Sequence, residues 1–541
     1  MIGRRAGGAV AQPAGSGPPA RVVGPPVASA AGTFVLVAVA AACAALGAAA
    51  AGQLRVKLLG GVVAGVVVLI AVRLFKNRQL VLFVAGVPLA LGFILHKSFG
   101  TIVPLHDGGA PSISVTTLDA VVVVLWAMWW YEGSLGRDLR ELADRPVFWV
   151  PWIGGLLSLV SVLNASSLRL VFAEVLRWFF MYLLFVYVAL RVRSRHELRL
   201  FLAGLGGLGI MEIGIIFLQW KTGGVLGLHF LGVPTALDVR TTNSGTVGRP
   251  FGSFTHPVFM AAIMGVLSLA AITLCIFIES PRLRIGPLHG RRIRVALAAL
   301  GFVFALPIVI SQARSAALGW AVAFPVLIAI GVRYKKINRK GLAWLGVGLV
   351  AALIAGSPIL YHYYRKDVAS AHFPLEIQAR WQLNSLAAHI WATHLWAGIG
   401  LNNFQQVMDQ YNTKNLIFNG NPVHNLLLLQ GSETGILGVI GMVFIGLTFF
   451  GLAIKLSRVG DPLLRSIGVM AVVAYVFWYA EEQLEFSLRE DAPLALFWIL
   501  AGLVVASLRI ANGEAELAGA AERPASAREL VPASSPAGGG G

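Results

Sequence analysis

Two arginines and a histidine stand at the mouths of apolar segments in this chain, with a third arginine in a long polar stretch, and their types suit the recognition of an anion. Arg249 lies in Val247-Gly248-Arg249-Pro250-Phe251-Gly252-Ser253-Phe254-Thr255-His256-Pro257, just before an apolar run. Arg314 lies in Ser311-Gln312-Ala313-Arg314-Ser315, a short turn between two runs, and Arg380 lies in a long polar stretch. Guanidinium groups bind phosphate oxygens in forked pairs and stay charged at any relevant pH. His424 opens the next apolar run, and its ordinary pKa suits a general base near neutrality. Asn421 and Pro422 before it are expected as N-cap and first helical residue, leaving backbone N–H groups that favour negative charge. Glu433 follows nine residues after His424. On a continuous helix it falls on the opposite face, about 13 Å along the axis. Holding its carboxylate in lipid costs about 2.5–3.5 kcal/mol. A structural hydrogen bond or ion pair inside a bundle is therefore expected for Glu433, not action on the atom that His424 serves.

Each of these residues also has a plainer reading. Arg249 and Arg314 suit lipid-headgroup anchors, Arg380 a solvated helix face, His424 a helix cap, and His256 before Pro257 a structural histidine. Asp238, Asp367, Glu376 and Asp409 are scattered along the chain, with no Asp-x-Asp pair and no Gly-rich phosphate loop after a strand. That pattern points to chemistry without a metal or other cofactor.

The elements that must position these groups are membrane helices. Of 541 residues, 57% are hydrophobic and only 13% charged, and the mean hydropathy is +0.76. Apolar runs of about 18–25 residues recur, long enough for a hydrocarbon core of about 30 Å. The expectation is an all-α polytopic membrane protein of about 12–14 helices, with runs at 32–51, 56–73, 79–95, 116–131, 146–163, 169–190, 199–220, 255–279, 295–311, 315–332, 341–360, 424–454, 466–480 and 492–508. A β-barrel would show short alternating segments instead. The net charge of +18 follows from basic loops on one side, not from nucleic-acid binding. With the amino terminus cytoplasmic, the loops carrying Arg73–Arg78, Arg137–Arg145, Arg191–Arg199, Arg282–Arg294, Arg333–Lys340 and Lys455–Arg465 all fall inside. The opposite loops are poor in Lys and Arg apart from Arg55 and Lys57, and one is acidic, with Glu481, Glu482, Glu485, Glu490 and Asp491. Residues 1–30 and 511–541 read as disordered cytoplasmic ends around a membrane domain over 31–510. Within it, 361–423 forms a large outer loop. Leu375–Trp396 is expected as an amphipathic helix through Leu375, Ile377, Trp381, Leu383, Leu386, Ile390, Leu395 and Trp396, with a second helix over Asn402–Tyr411.

Four motifs in order resemble the O-antigen ligase and O-antigen polymerase superfamily. They are Gly248–Pro257, the Ser-x-x-Arg-Ser turn at Ser311–Ser315, Ala397-Gly398-Ile399-Gly400-Leu401-Asn402-Asn403-Phe404, and His424–Gly438. The resemblance implies a transferase of the bacterial inner membrane that moves a glycan from undecaprenyl diphosphate to an acceptor hydroxyl at the periplasmic face. It implies Arg249 and Arg314 as diphosphate clamps and His424 as base or acceptor-orienting group. Arg380, Asn425 and His256 complete the implied substrate-binding set. The partners are then the lipid-linked donor, a glycan or lipid acceptor, and the bilayer.

Ligation of a finished glycan, polymerisation of repeat units and transfer to a protein hydroxyl share this donor chemistry. A lipid-linked oligosaccharide flippase is the competing reading from another class. It predicts charged residues along a central path through the bundle, whereas the cations here gather at one mouth.

Overall fold

A chain in lipid must satisfy its backbone polar groups internally, and this one does so with helices. The computed structural model describes residues 78–99, 108–228, 234–242, 245–278, 284–285, 288–338, 343, 372–412 and 421–522. All belong to the unit Asn77–Gly541. Two shorter apolar helices come first, α1 (Gln79–Gly92) and α2 (Thr117–Tyr131), joined across the antiparallel ribbon β1 (His96–Phe99) and β2 (Ile113–Thr116). The polar helix α3 (Leu135–Ala143) follows.

Among the described residues nine helices are long and apolar enough to cross a membrane. They are α4 with its 3-10 extension (Pro146–Asn164), α5 (Leu168–Arg191), α6 (Arg195–Thr222), α7 (Pro257–Phe277), α8 (Arg291–Ile310), α9 (Arg314–Arg333), α12 (Leu426–Ser457), α13 (Pro462–Glu481) and the Asp491–Gly513 part of α14. The protein is an all-α polytopic membrane protein. The expected runs at 32–51 and 56–73, and all of 341–360 but residue 343, lie outside the described residues; each of the others falls on a helix named above. The last helix, α14, continues to Glu522, past the Ala511 where the sequence places the start of a tail.

The core runs through α7, α13 and α14, whose apolar windows are 78%, 83% and 78% buried. The other spans keep apolar faces open, including Leu156 of α4, Phe172 of α5, Ile210 of α6 and Leu447 of α12. Contiguous exposed apolar surface of this kind belongs against lipid tails. Close crossings use small residues, as membrane helices do. A Cβ on Gly441 of α12 would meet the carbonyl of Gly154 in α4 at 2.5 Å.

The helix that carries Glu433 is broken. Gly435 of α12 has φ 65° and ψ −168°, a backbone state open essentially to glycine alone. This corrects the single continuous helix expected over 424–454. The groups released by the break are met by the end of the outer loop, where α10 (His372–Thr393) gives way to a turn before α11 (Phe404–Tyr411). Ile399 and Gly400 donate N–H groups to the carbonyls of Ser432 (3.0 Å) and Glu433 (2.9 Å), and Ile436 donates to Leu395 O at 2.7 Å. The approach is so close that a Cβ on Gly398 or Gly435 would fall 2.3 Å from the facing backbone. Two of the motifs found in the sequence therefore fold into one another. The Asn pair that follows ties this joint to α4 and α5. Asn403 Oδ1 accepts from Ser166 Oγ at 2.8 Å and from the N–H of Ser167 at 2.7 Å.

α10 itself buries Ala379, Leu383, Leu386, Ala387 and Ile390, the spacing of one helical face. Leu375, Ile377, Trp381, Leu395 and Trp396 remain exposed, so the apolar stripe expected from the sequence is shifted. Alanines, which carry little weight in a hydropathy pattern, make up part of the buried face.

Four charged side chains close on each other inside the bundle. Arg489 Nη1 donates to Glu433 Oε2 at 2.8 Å, and its Nε stands 3.6 Å from Glu174 Oε1. Arg177 Nη2 donates to the same Glu174 oxygen at 2.5 Å, and Arg177 Nη1 to the carbonyl of Arg489 at 2.6 Å. Glu433 Oε1 also accepts from the N–H of Phe404 at 3.3 Å.

Candidate active site

The loop that carries Arg249 is built from the ribbon β3 (Asp238–Thr242) and β4 (Gly245–Arg249), whose register sets Asp238 opposite Arg249. After β4 the chain is gripped by α6. Gln219 Oε1 accepts from the N–H groups of Phe251 (3.1 Å) and Gly252 (2.8 Å), and Glu212 Oε2 accepts from the N–H of Ser253 at 2.9 Å. Gly252 has φ 67°, and a Cβ there would overlap Glu212 at 2.2 Å. The Pro-Phe-Gly-Ser-Phe stretch is thus a fixed platform, and Arg249 projects from its edge.

Arg249 is 13% exposed at its side chain. Its Nη1 donates to Asp238 Oδ2 at 2.8 Å and its Nε to the carbonyl of Ser311 at 2.8 Å. Ser311 caps the end of α8, and Arg314 is the first residue of α9. The hydrogen bond therefore brings two arginines far apart in sequence to one turn. Arg314 Nη1 donates to Glu376 Oε2 of α10 at 3.3 Å. One turn further along α10, Arg380 Nη1 donates to the carbonyl of Leu484 at 2.8 Å, and its Nη2 lies 4.0 Å from Glu485 Oε2.

His424 reaches the same carboxylate. Its Nε2 lies 3.8 Å from Glu485 Oε1, and its ring meets Phe486 edge-on at 5.4 Å between centroids. His424 precedes the helix. The N-cap is Asn425, whose Oδ1 accepts from the N–H of Leu428 at 3.0 Å, and α12 starts at Leu426. This corrects the Asn421 and Pro422 start expected from the sequence. The N–H of Leu426 donates to the carbonyl of Glu482 at 3.0 Å, so a long-range contact fixes the first turn. Asn425 Nδ2 donates to Gln483 O at 3.2 Å, which binds the cap to the same acidic loop.

His256 is the N-cap of α7. Its Nδ1 accepts from the N–H of Val258 at 3.3 Å, which leaves the proton of the neutral ring on Nε2, 4.0 Å from Asp238 Oδ2. Burial, and then the Arg249 charge, hold this imidazole below its ordinary pKa. The Glu485 carboxyl is pushed up by burial, against the opposing pull of Arg380, His256 and Arg249. Glu482 beside it is raised well above the carboxylate range by burial and by the neighbouring Glu481. A cavity of about 60 Å³ lies behind Phe259, with His96, Ser253, Thr255, Glu490 and Asp491 in its wall.

Arg249, His256, Arg314, Arg380 and His424 thus gather on one face, while Glu433 stands apart with Arg489. The carboxylates are not scattered: Asp238 and Glu376 are delivered to Arg249 and Arg314. Asp367 lies outside the described residues, and Asp409 sits on α11. Sequence reasoning missed Glu485. The signal was the acidic run 481–491, which was read only as a mark of loop orientation. It also missed Arg489, Arg177 and Glu174, although a charge pair within the apolar run 169–190 is itself a signal of internal pairing. Among the described residues no cluster of His, Cys, Asp or Glu is arranged to hold a metal ion.

Comparison with known families finds that residues 299–443 match the O-antigen ligase family. This segment contains Arg314, Arg380, His424 and Glu433, and it supports assignment of the chain to the O-antigen ligase and polymerase superfamily. No curated protein matches the chain.

Proposed function

We propose that this protein transfers a glycan from undecaprenyl diphosphate to an acceptor hydroxyl at the outer face of a bacterial inner membrane, as a ligase of finished chains. The observation that carries this reading is the meeting of Arg249 with the Arg314 turn through the Ser311 carbonyl. Two guanidiniums at one helix mouth suit the two phosphates of a leaving diphosphate. Their pull grows as the bond to the anomeric carbon breaks and charge collects on the departing oxygen.

The reaction is a displacement. The acceptor oxygen forms a bond to the anomeric carbon, the bond from that carbon to the diphosphate oxygen breaks, and the diphosphate leaves on its lipid. The hydroxyl proton passes to His424, a side chain of the type suited to general-base work near neutrality. In the free protein the guanidiniums face Asp238 and Glu376, which the diphosphate replaces on binding. The run of basic loops on the opposite side supports an outward-facing site. The buried charges Arg177, Glu174, Arg489 and Glu433 are engaged with one another, which favours a scaffold over the conduction path of a flippase.

The test is the size distribution of lipid-linked and surface glycan in cells lacking the protein, complemented with wild type or His424→Ala. Long chains stranded on the carrier, with none on the final acceptor, are expected in the deletion and with His424→Ala. Single repeat units on the carrier would assign the polymerase reaction instead. Unchanged pools would overturn the transferase reading.

A further inference from the structure

The resemblance implies Arg380 as a substrate-binding residue, but its contacts run toward the acidic loop. One guanidinium nitrogen holds the carbonyl of Leu484 at 2.8 Å and another faces Glu485 at 4.0 Å. Glu485 is 6% exposed at its side chain, and its other oxygen faces His424 Nε2 at 3.8 Å. The carboxylate therefore lies between the loop arginine and the histidine, with one oxygen for each.

We propose that Arg380 and Glu485 are positioning residues for His424: Arg380 seats Glu485, and Glu485 orients the imidazole and stabilises its protonated form. This rests on the reading of His424 as the base. A carboxylate within about 4–6 Å raises the proton affinity of a histidine by favouring the imidazolium. The groups facing this pair come from every side. Arg380 faces it from α10, Arg249 and His256 from the platform before α7, and Glu481 and Glu482 from the end of α13. The arginines oppose protonation of His424, and Glu485, with Oε1 3.8 Å from its Nε2, is the carboxylate in direct reach that favours it. α10 carries both arms of the arrangement, since Glu376 of the same helix faces Arg314. The joint at Gly398 and Gly435 fixes where that helix ends.

The test uses the purified full chain and the lipid-linked glycan pool extracted from cells lacking it. The pH dependence of His424 modification by diethyl pyrocarbonate, followed by peptide mass spectrometry, reads the pKa of His424 without any turnover. Glu485→Gln is expected to lower that midpoint by about one unit, a tenfold change in proton affinity. Arg380→Gln, at a half-exposed side chain, is expected to lower kcat about tenfold with donor KM unchanged. The double variant is expected to be no slower than Glu485→Gln alone, because both act through one group. An unchanged midpoint in Glu485→Gln would overturn the proposal. So would an Arg380→Gln variant with raised donor KM and normal kcat, which would make Arg380 a donor ligand. Retained activity in His424→Ala would remove the base role while leaving the midpoint to decide the pairing, so the two readings fail separately.

Discussion

Replacing Glu433 by Gln isolates the buried pair from the chemistry at the outer face. The carboxylate has two separable duties. Oε1 accepts the N–H of Phe404 and Oε2 faces Arg489 at 2.8 Å, with the Glu433 and Arg489 side chains 3% and 2% exposed. A glutamine can keep the first duty and loses the second. Breaking a buried pair from one side costs about 3–5 kcal/mol, because the remaining charge is left uncompensated. Here Glu174 stays 3.6 Å from Arg489, which retains part of the compensation and sets the expected loss near the lower bound, about 3 kcal/mol. Removing both partners, as Glu433→Gln with Arg489→Met, leaves no orphan guanidinium, and Glu174 keeps Arg177 at 2.5 Å. The double variant should therefore be more stable than the sum of the single losses implies, by about 2 kcal/mol. The assay is unfolding of purified protein in detergent, with specific activity scored per folded molecule. Folded yield should fall while specific activity holds. Loss of specific activity at unchanged stability would refute the structural role and move Glu433 into the site. Strictly additive losses would refute the pairing.

Arg249→Ala and Arg314→Ala should each leave the protein inserted and lower kcat/KM for the lipid-linked donor by about a hundredfold or more; near-normal transfer in both would remove the clamp role. Gly435→Ala should abolish accumulation of folded protein, since its Cβ would lie 2.3 Å from the Trp396 backbone at a φ of 65°. A stable, active Gly435→Ala protein, read by size-exclusion profile and activity, would show that the break is not needed.

What the sequence made legible was local. Hydropathy over a window of about 18 residues needs no tertiary knowledge, so the apolar runs at 146–163, 169–190 and 255–279 appear as helices nearly where expected. The loop helix His372–Thr393 was legible from amphipathic spacing instead, although its buried face was not. The start of α12 was not. Asn421 and Asn425 are equally competent caps, and the choice between them is made by the bond from Leu426 to Glu482, far away in sequence. The break at Gly435 was hidden because a glycine within an apolar run is common in membrane helices, and only the facing loop reveals that its φ is positive. The gathering of Arg249, Arg314 and His424 could be suggested by side-chain type and by family resemblance. Their carboxylate partners could not, since Asp238, Glu376 and Glu485 lie on three different elements.

Those partners change how the site must work. Guanidiniums assembled at one helix mouth repel one another, and in a partly buried setting that repulsion is weakly screened. Asp238, Glu376 and Glu485 offset it before any donor arrives. On the proposed reading, a diphosphate that binds Arg249 and Arg314 exchanges with the first two carboxylates, which come from a ribbon and a loop helix. It does not have to exchange with Glu485, which is buried, held by Arg380, and turned toward His424. The three carboxylates therefore divide by exposure: 35% and 31% for Asp238 and Glu376, 6% for Glu485. On the proposed reading, the more exposed pair gives way to the leaving group, and the buried one stays with His424. If the proposed transfer is right, a site of this construction separates binding of the departing diphosphate from proton removal at the acceptor, so substitutions on the two sides should affect donor KM and kcat independently.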